Sequence, residues 1–281
     1  SIGLNFKYTD FRYDINPLFF DSTLPIGFDN VVPTTISDLT ASFFVETLIK
    51  KDLSFMLGAR FKRLKIEASS PSLVNVFQVP EYQIENSDFF SLNSRLRYDT
   101  LDNIFFPSSG FLFETDGNLF LTASSSEDFT QFLNLKTNIA MAFLITNELS
   151  LLVGAEGGFR VGNDNISALN FGLGGYAFNH VNNYGSMFGY DFFSLSGNSF
   201  IKAYFSTDYE FYKRHHLNFS ANFSNIGDDI FVSKDWLELP SHSGYALGYG
   251  LETIFGPFEL KYNWSPENNF KGVFINFGYW F

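Results

Sequence analysis

The chain contains no cysteine, so neither a disulfide framework nor a zinc–thiolate centre can be built from it. It also has no run of 18 apolar residues, which excludes a membrane-spanning helix. Charge is scarce: Asp, Glu, Lys and Arg make up 17% of the 281 residues, against roughly 25% in soluble domains. No basic segment followed by an apolar one precedes the first strand-like pattern, so an export signal has been removed or lies upstream. What is abundant is aromatic: 38 Phe, 14 Tyr and 3 Trp. A chain rich in apolar residues but without long apolar runs has to hide them by alternation.

Alternation recurs in twelve segments. Ile2, Leu4, Phe6 and Tyr8 face one way, while Gly3, Asn5, Lys7 and Thr9 face the other. Leu217, Phe219, Ala221 and Phe223 oppose Asn218, Ser220, Asn222 and Ser224 in the cleanest case. Successive side chains of a strand point to opposite faces, so each segment carries one greasy face and one polar face. The polar faces hold both signs of charge, among them Arg60, Lys62, Arg97, Lys136, Glu156, Arg160, Lys202, Asp208 and Glu210. Such residues suit a wet or plugged lumen in which they pair. A soluble sandwich would instead hide the greasy faces and turn the polar ones outward. The pattern predicts an all-β fold: a transmembrane antiparallel up-and-down barrel, 12 strands in this chain, with residues 1–281 as one domain.

Connections alternate in length. Short ones are expected at 50–52, 103–110, 146–148, 213–216 and 255–257. Long ones are expected at 14–39, 67–87, 123–129, 161–199, 226–241 and 265–269. Outer-membrane barrels place short turns in the periplasm and long loops outside, which puts the C-terminus on the periplasmic side. The net charge of −12 is concentrated in the long loops, which argues against a nucleic-acid partner. Two readings of the acidic loops stay open. They keep the surface soluble, or they hold divalent cations that bridge to lipopolysaccharide phosphates.

The chain ends Val273-Phe274-Ile275-Asn276-Phe277-Gly278-Tyr279-Trp280-Phe281. Phe277, Tyr279 and Phe281 fall on one face. The pattern resembles the C-terminal signal by which bacterial outer-membrane proteins engage the barrel-assembly machinery during insertion. Aromatic residues at headgroup level fit a closing strand in lipid.

A second motif narrows the class. The stretch Tyr98–Gly110 reads Tyr-Asp-Thr-Leu-Asp-Asn-Ile-Phe-Phe-Pro-Ser-Ser-Gly. Asp102 and Asn103 favour a tight reversal, Pro107 stops ladder pairing, and Gly110 permits positive φ. With Asp99, Asp102, Phe106, Pro107 and Gly110, the string resembles a turn of the outer-membrane assembly-factor (bacterial surface antigen) barrel superfamily. That superfamily includes the barrel-assembly insertase, two-partner secretion transporters, and the barrel that follows patatin-like phospholipase domains. Eight strands follow the turn in the family and eight follow it here. The resemblance implies a 16-stranded barrel, so these strands are either the last 12 of 16 or a barrel that closes with 12. It also implies that the longest loop, 161–199, folds into the lumen and carries an Arg-Gly-aromatic tip. Gly189 and Tyr190 match that tip, but Phe188 replaces the Arg that would pair with Asp208 or Glu210 on the lumen wall. Without it that ion pair cannot form. This weakens an insertase or polypeptide-translocase reading and predicts a plug held by aromatic packing. The departure resembles the barrel appended to patatin-like phospholipases in Bacteroidetes-type bacteria. The expected role is therefore a transmembrane module that anchors or translocates an upstream periplasmic domain, with a passive pore for small solutes as the alternative.

No catalytic constellation, cofactor motif or metal-ligand spacing is read. Ser241 and Ser243 are each one residue from His242, so on a strand they would point away from it. His215 and His216 are expected in a solvated basic turn, and His180 has no ligand-spaced partner.

Overall fold

The computed structural model describes residues 1–15, 32–68, 82–124, 129–162, 166–176 and 183–278. Twelve strands form one antiparallel sheet in which each pairs with its neighbours in sequence. They are β1 (Ile2–Ile15), β2 (Val32–Lys50), β3 (Leu53–Ala68), β4 (Tyr82–Asp99), β5 (Gly110–Ala123), β6 (Phe132–Leu144) and β7 (Leu149–Val161), then β11 (Ser199–Tyr212), β12 (His215–Gly227), β13 (His242–Thr253), β14 (Gly256–Trp264) and β15 (Lys271–Phe277). The connection from β7 to β11 contributes a second sheet of three short strands: β8 (Phe171–Leu173), β9 (Tyr184–Gly185) and β10 (Leu195–Gly197). Among the described residues a short helix, α1 (Ile230–Ser233), follows β12.

Each wall strand is held by the alternation read above. Leu4, Phe6, Leu57, Leu92, Met141, Leu247 and Ile275 are all more than 40% exposed on the outer face, where water would make them costly and hydrocarbon does not. Aromatic residues gather toward the rims of this band. At the long-loop end Tyr245 stacks on Trp264 and Trp264 on Tyr262. At the short-turn end lie Tyr209, Phe211 and Tyr212. Among the described residues β1 pairs only with β2, and β15 only with β14, so these are the sheet's two edges. Unpaired backbone groups cannot face hydrocarbon at such an edge.

The strands run further than the expected loop boundaries allowed. β1 and β2 pair as far as Ile15 and Val32, and β3 pairs with β4 as far as Ala68 and Tyr82. The alternation does not stop there; it inverts. On β1 the outward series passes from Phe6 and Tyr8 to Asp10, Arg12 and Asp14, and the inward series from Lys7 and Thr9 to Phe11, Tyr13 and Ile15. On β3 the outward series passes from Phe61 to Arg63, Lys65 and Glu67, and the inward one from Lys62 to Leu64 and Ile66. Above the lipid the outer face meets water and becomes charged, as in the Arg63–Asp88 pair at 3.4 Å. The inner face meets the infolded connection and becomes apolar. The lumen is thus not polar along its whole length.

The terminal strand ends at Phe277. Gly278 has φ +101°, which breaks the pleat, and its N–H donates to Pro257 O at 2.9 Å. Tyr279 and Phe281 lie outside the described residues, as does His180.

Candidate functional site: the occupied lumen

The infolded connection fills the loop end of the lumen with a hydrophobic core. Ile15, Ile36, Leu64, Ile66, Phe89, Phe120 and Phe132 point inward from β1 to β6 and pack on Leu169, Tyr184, Phe192 and Phe193 of the insert. Phe192 meets Phe11, Tyr13 and Tyr184 with ring centroids 5.7, 5.3 and 5.2 Å away. Tyr13 donates its hydroxyl to Asp191 at 2.6 Å. A second cluster joins Phe171, Leu173, Met187 and Tyr190 of the insert to Phe200 of β11. Close packing of this kind leaves no continuous water path where it occurs.

Below that core the insert is gripped by charge. Glu156 on β7 pairs with Lys136 on β6 at 2.7 Å and with Lys202 on β11. The same two ammonium groups also donate to insert carbonyls: Lys136 to Tyr184 O at 2.7 Å and Lys202 to Ser186 O at 2.8 Å. One carboxylate therefore balances two cations, and their remaining hydrogens hold the backbone of β9 and of Ser186 just after it. Strand register makes the cluster possible, because Lys202 lies opposite Glu156 on the adjoining strand, and Lys136 opposite Gly158. Two further cations reach the insert. Lys261 donates to Tyr176 Oη at 2.8 Å and pairs with Glu259 at 3.0 Å, while Arg160 reaches Asn134 Oδ1 at 3.1 Å and Ile166 O at 3.5 Å.

The tip of the insert is held mostly by its backbone. Gly189 has φ +74°. Its N–H donates to Asn263 Oδ1 at 3.0 Å, and its carbonyl accepts from Asn268 Nδ2 at 3.0 Å. A Cβ at Gly189 would lie 2.3 Å from the Trp264 carbonyl carbon, and one at Gly244 only 1.8 Å from Phe188 O. Glycine is needed at both positions because two backbones approach closely. The Phe188 ring stacks on Tyr176 at 4.8 Å but is only half-buried, whereas Tyr190 is 4% exposed.

Among the described residues Asp208 and Glu210 make no hydrogen bond or ion pair to the insert. Asp208 accepts from His216 Nδ1 at 2.7 Å, and Glu210 accepts from the Arg214 N–H at 2.8 Å. His216 is not in a solvated turn. It pairs with Glu210 in the same inward series of β12 as Asn218, Ser220 and Asn222, where it is 6% exposed. Its ring stacks on Phe106 at 4.1 Å, with 5° between the planes. Phe106 belongs to the Tyr98–Gly110 turn, which reaches into the short-turn mouth of the lumen. Asp102 accepts from Ser108 N at 2.9 Å, Ser109 N at 3.1 Å and Ser108 Oγ at 2.5 Å. Burial by itself pushes its pKa up, but these bonds together outweigh that and hold the carboxyl below its ordinary 3.8. Asp99 accepts from Leu101 N at 3.0 Å and pairs with Arg97 at 2.6 Å. Pro107 O accepts from Ser150 at 3.2 Å. Gly110 has φ +111°, and a Cβ there would lie 2.1 Å from Thr100 O. Between the tip and this turn remains a cavity of about 330 Å³ bordered by Phe188 and Tyr176 on one side and Phe106 and Pro107 on the other.

Ser241 and His242 need a second correction. Ser241 precedes β13, so strand alternation does not govern it, and its hydroxyl lies 2.7 Å from His242 Nδ1. Among the described residues no carboxylate orients His242, so the pair is not a triad. No group of three or more acidic or His residues among the described residues could hold a metal ion.

A lipid-faced antiparallel wall with an insert packed in its lumen defines the class: a membrane β-barrel with an internal plug. Family and structural comparisons agree with that class. The chain belongs to the OMP85 superfamily, whose model matches residues 1–281, and it is an outer-membrane barrel of that superfamily. It is similar to BamA from Haemophilus ducreyi lacking POTRA domains 1–3, with TM-score 0.64 and 16% identity over 98% of this chain and 57% of that one. It is also similar to CdiB from Acinetobacter baumannii, with TM-score 0.58 and 11% identity over 94% of this chain and 44% of that one. It thus spans 57% and 44% of the lengths of these two structures. A search of curated protein sequences found no match.

Sequence reasoning named the turn and tip residues but missed the Lys136–Glu156–Lys202 cluster and the Phe106–His216 stack. Alternation alone places the three charges as separate lumen residues. One charge on each of three consecutive wall strands was the signal, and only strand register shows that they meet.

Proposed function

We propose that this chain is the transmembrane module of a larger outer-membrane protein, and that it anchors or translocates an upstream periplasmic domain. The resemblance of Phe188-Gly189-Tyr190-Asp191 to the barrels that follow patatin-like phospholipases makes a patatin-like hydrolase our candidate for that domain. The observation that carries the reading is the occupied lumen. A barrel whose loop end is packed with Phe, Tyr and Ile, and whose insert is gripped by buried lysines, serves poorly as a standing channel. In this reading the long loops face outside among lipid and lipopolysaccharide, the short turns face the periplasm, and the barrel-assembly machinery inserts the barrel. The turn-end cavity of about 330 Å³ favours the second reading, a passive pore for small solutes.

Planar-bilayer recording on the full-length protein separates the two. The module reading expects small or flickering conductance. Large steady steps from the unmodified protein would overturn it in favour of the pore.

A further inference from the structure

Within the acidic loop expected at 226–241, the segment 228–240 carries an ordered apolar surface on the outside of the wall. Ser199 and Asn225 hold outward positions on β11 and β12, since their neighbours Phe200 and Ser224 point inward to Phe171 and Met187. Outward polar residues at a barrel rim are normally wet, but these two are only 2% and 8% exposed. The segment covers them. Ile230 N–H donates to Ser199 Oγ at 3.0 Å, and Asn225 Nδ2 donates to the carbonyls of Asp235 and Glu238 at 3.1 and 3.2 Å. Asn198 fixes the near end by donating to Asp229 Oδ1 at 3.1 Å and accepting from the Asp229 N–H at 2.8 Å. The chain therefore leaves β12, bends outward and lies down on the barrel's exterior.

Its conformation is tightly specified. Asp229 and Lys234 both have positive φ, +53° and +74°, which side-chain-bearing residues seldom adopt without reason. These bends flank α1 and lead into the 3₁₀ turn Asp235–Leu237. The side chains left outermost are apolar: Val232 is 81% exposed, Leu237 65% and Leu239 90%, with Phe231 and Trp236 more than one-third exposed. A rigid segment that shows water this much apolar surface marks an interaction site.

The neighbouring wall identifies the occupant. Phe231 packs edge-on against Phe159 at 5.8 Å, and Trp236 lies 6.0 Å from Phe231. Phe159 belongs to the lipid-facing side of β7, so the apolar surface of the segment continues the lipid-facing band at its loop-end rim. Tryptophan is also the residue type that prefers the boundary between acyl chains and headgroups. We propose that residues 228–240 form a foot that lies in the bilayer interface at the loop end, with Val232, Trp236, Leu237 and Leu239 seated among lipid acyl chains.

The absence of cysteine makes the test clean. The chain is folded into dioleoylphosphatidylcholine vesicles with one cysteine, Val232→Cys or Leu239→Cys, bearing an environment-sensitive NBD fluorophore. Gln131→Cys, exposed at the loop end of β6, is the control. Both foot labels should emit at shorter wavelength than the control and should lose intensity when the lipid is replaced by one brominated on its acyl chains. Water-like, unquenched emission at both positions would overturn the proposal. So would a blue shift that bromine leaves untouched and that grows with protein-to-lipid ratio, because a second copy would then be the occupant. If the labelled variants fail to fold, Trp236 fluorescence in a Trp264→Phe, Trp280→Phe chain decides by the same quenching.

Discussion

Replacing Glu156 with Gln should release the insert from the lumen. The Glu156 side chain is 11% exposed, that of Lys202 4% and that of Lys136 24%, so the three charges are largely removed from water. Glutamine keeps the shape and one acceptor but leaves two ammonium groups facing each other without a counter-ion. Breaking a buried ion pair by removing one partner typically costs about 3–5 kcal/mol. Each 1.4 kcal/mol is a tenfold change in an equilibrium, so the seated insert should lose between about 10²-fold and several thousandfold against the released one. The lysines can relieve their repulsion only by moving, and movement breaks their bonds to Tyr184 O and Ser186 O. In planar bilayers, Glu156→Gln should open far more often than the unmodified protein and should become sensitive to protease near Tyr184. Adding Lys202→Met should restore part of the closure by removing one of the two repelling charges. Asp208→Asn and Glu210→Gln should leave the insert seated, because those carboxylates bind His216 and Arg214 instead. Should Glu156→Gln behave like the unmodified barrel while Phe188→Ala opens it, the ionic grip is not what holds the insert. The Phe188–Tyr176 packing would then be the stronger contact.

Two further outcomes follow from the geometry. Gly244→Ala puts a methyl 1.8 Å from Phe188 O and should displace the tip, raising conductance, whereas Gly157→Ala, whose nearest contact is 3.4 Å, should not. The depressed pKa of Asp102 means that its contribution to turn stability is complete above about pH 3.8 and fades as pH falls through its lower folded value. Amide exchange at Ser108 and Ser109 should therefore accelerate in acid beyond the intrinsic pH dependence, and Asp102→Asn should abolish that extra acceleration.

Much of the wall was legible because strand side chains repeat every two residues, and Phe219, Leu247 or Ile275 declares its outward face from immediate neighbours alone. The Tyr98–Gly110 turn was legible for a similar reason, since Asp102 and Gly110 act on backbone a few residues away. The inversion along β1 and β3 is not legible in sequence, because a second alternation of opposite sign looks like a loop when the lipid boundary is unknown. The ordered segment within the 226–241 loop is not legible in sequence because its charges describe composition, while its apolar surface depends on Asp229 and Lys234 turning the backbone.

By itself, the sequence determined twelve alternating strands, a long insertion after β7 and a glycine-bearing turn before β5. Each rests on interactions within a few residues of chain. Only the tertiary structure decided that Lys136, Glu156 and Lys202 meet, that the insert's carbonyls complete their coordination, and that His216 stacks under Phe106. These partners are far apart in sequence or share no local pattern. Strand register and the path of the insert bring them together, and both are set by the packing of the whole barrel.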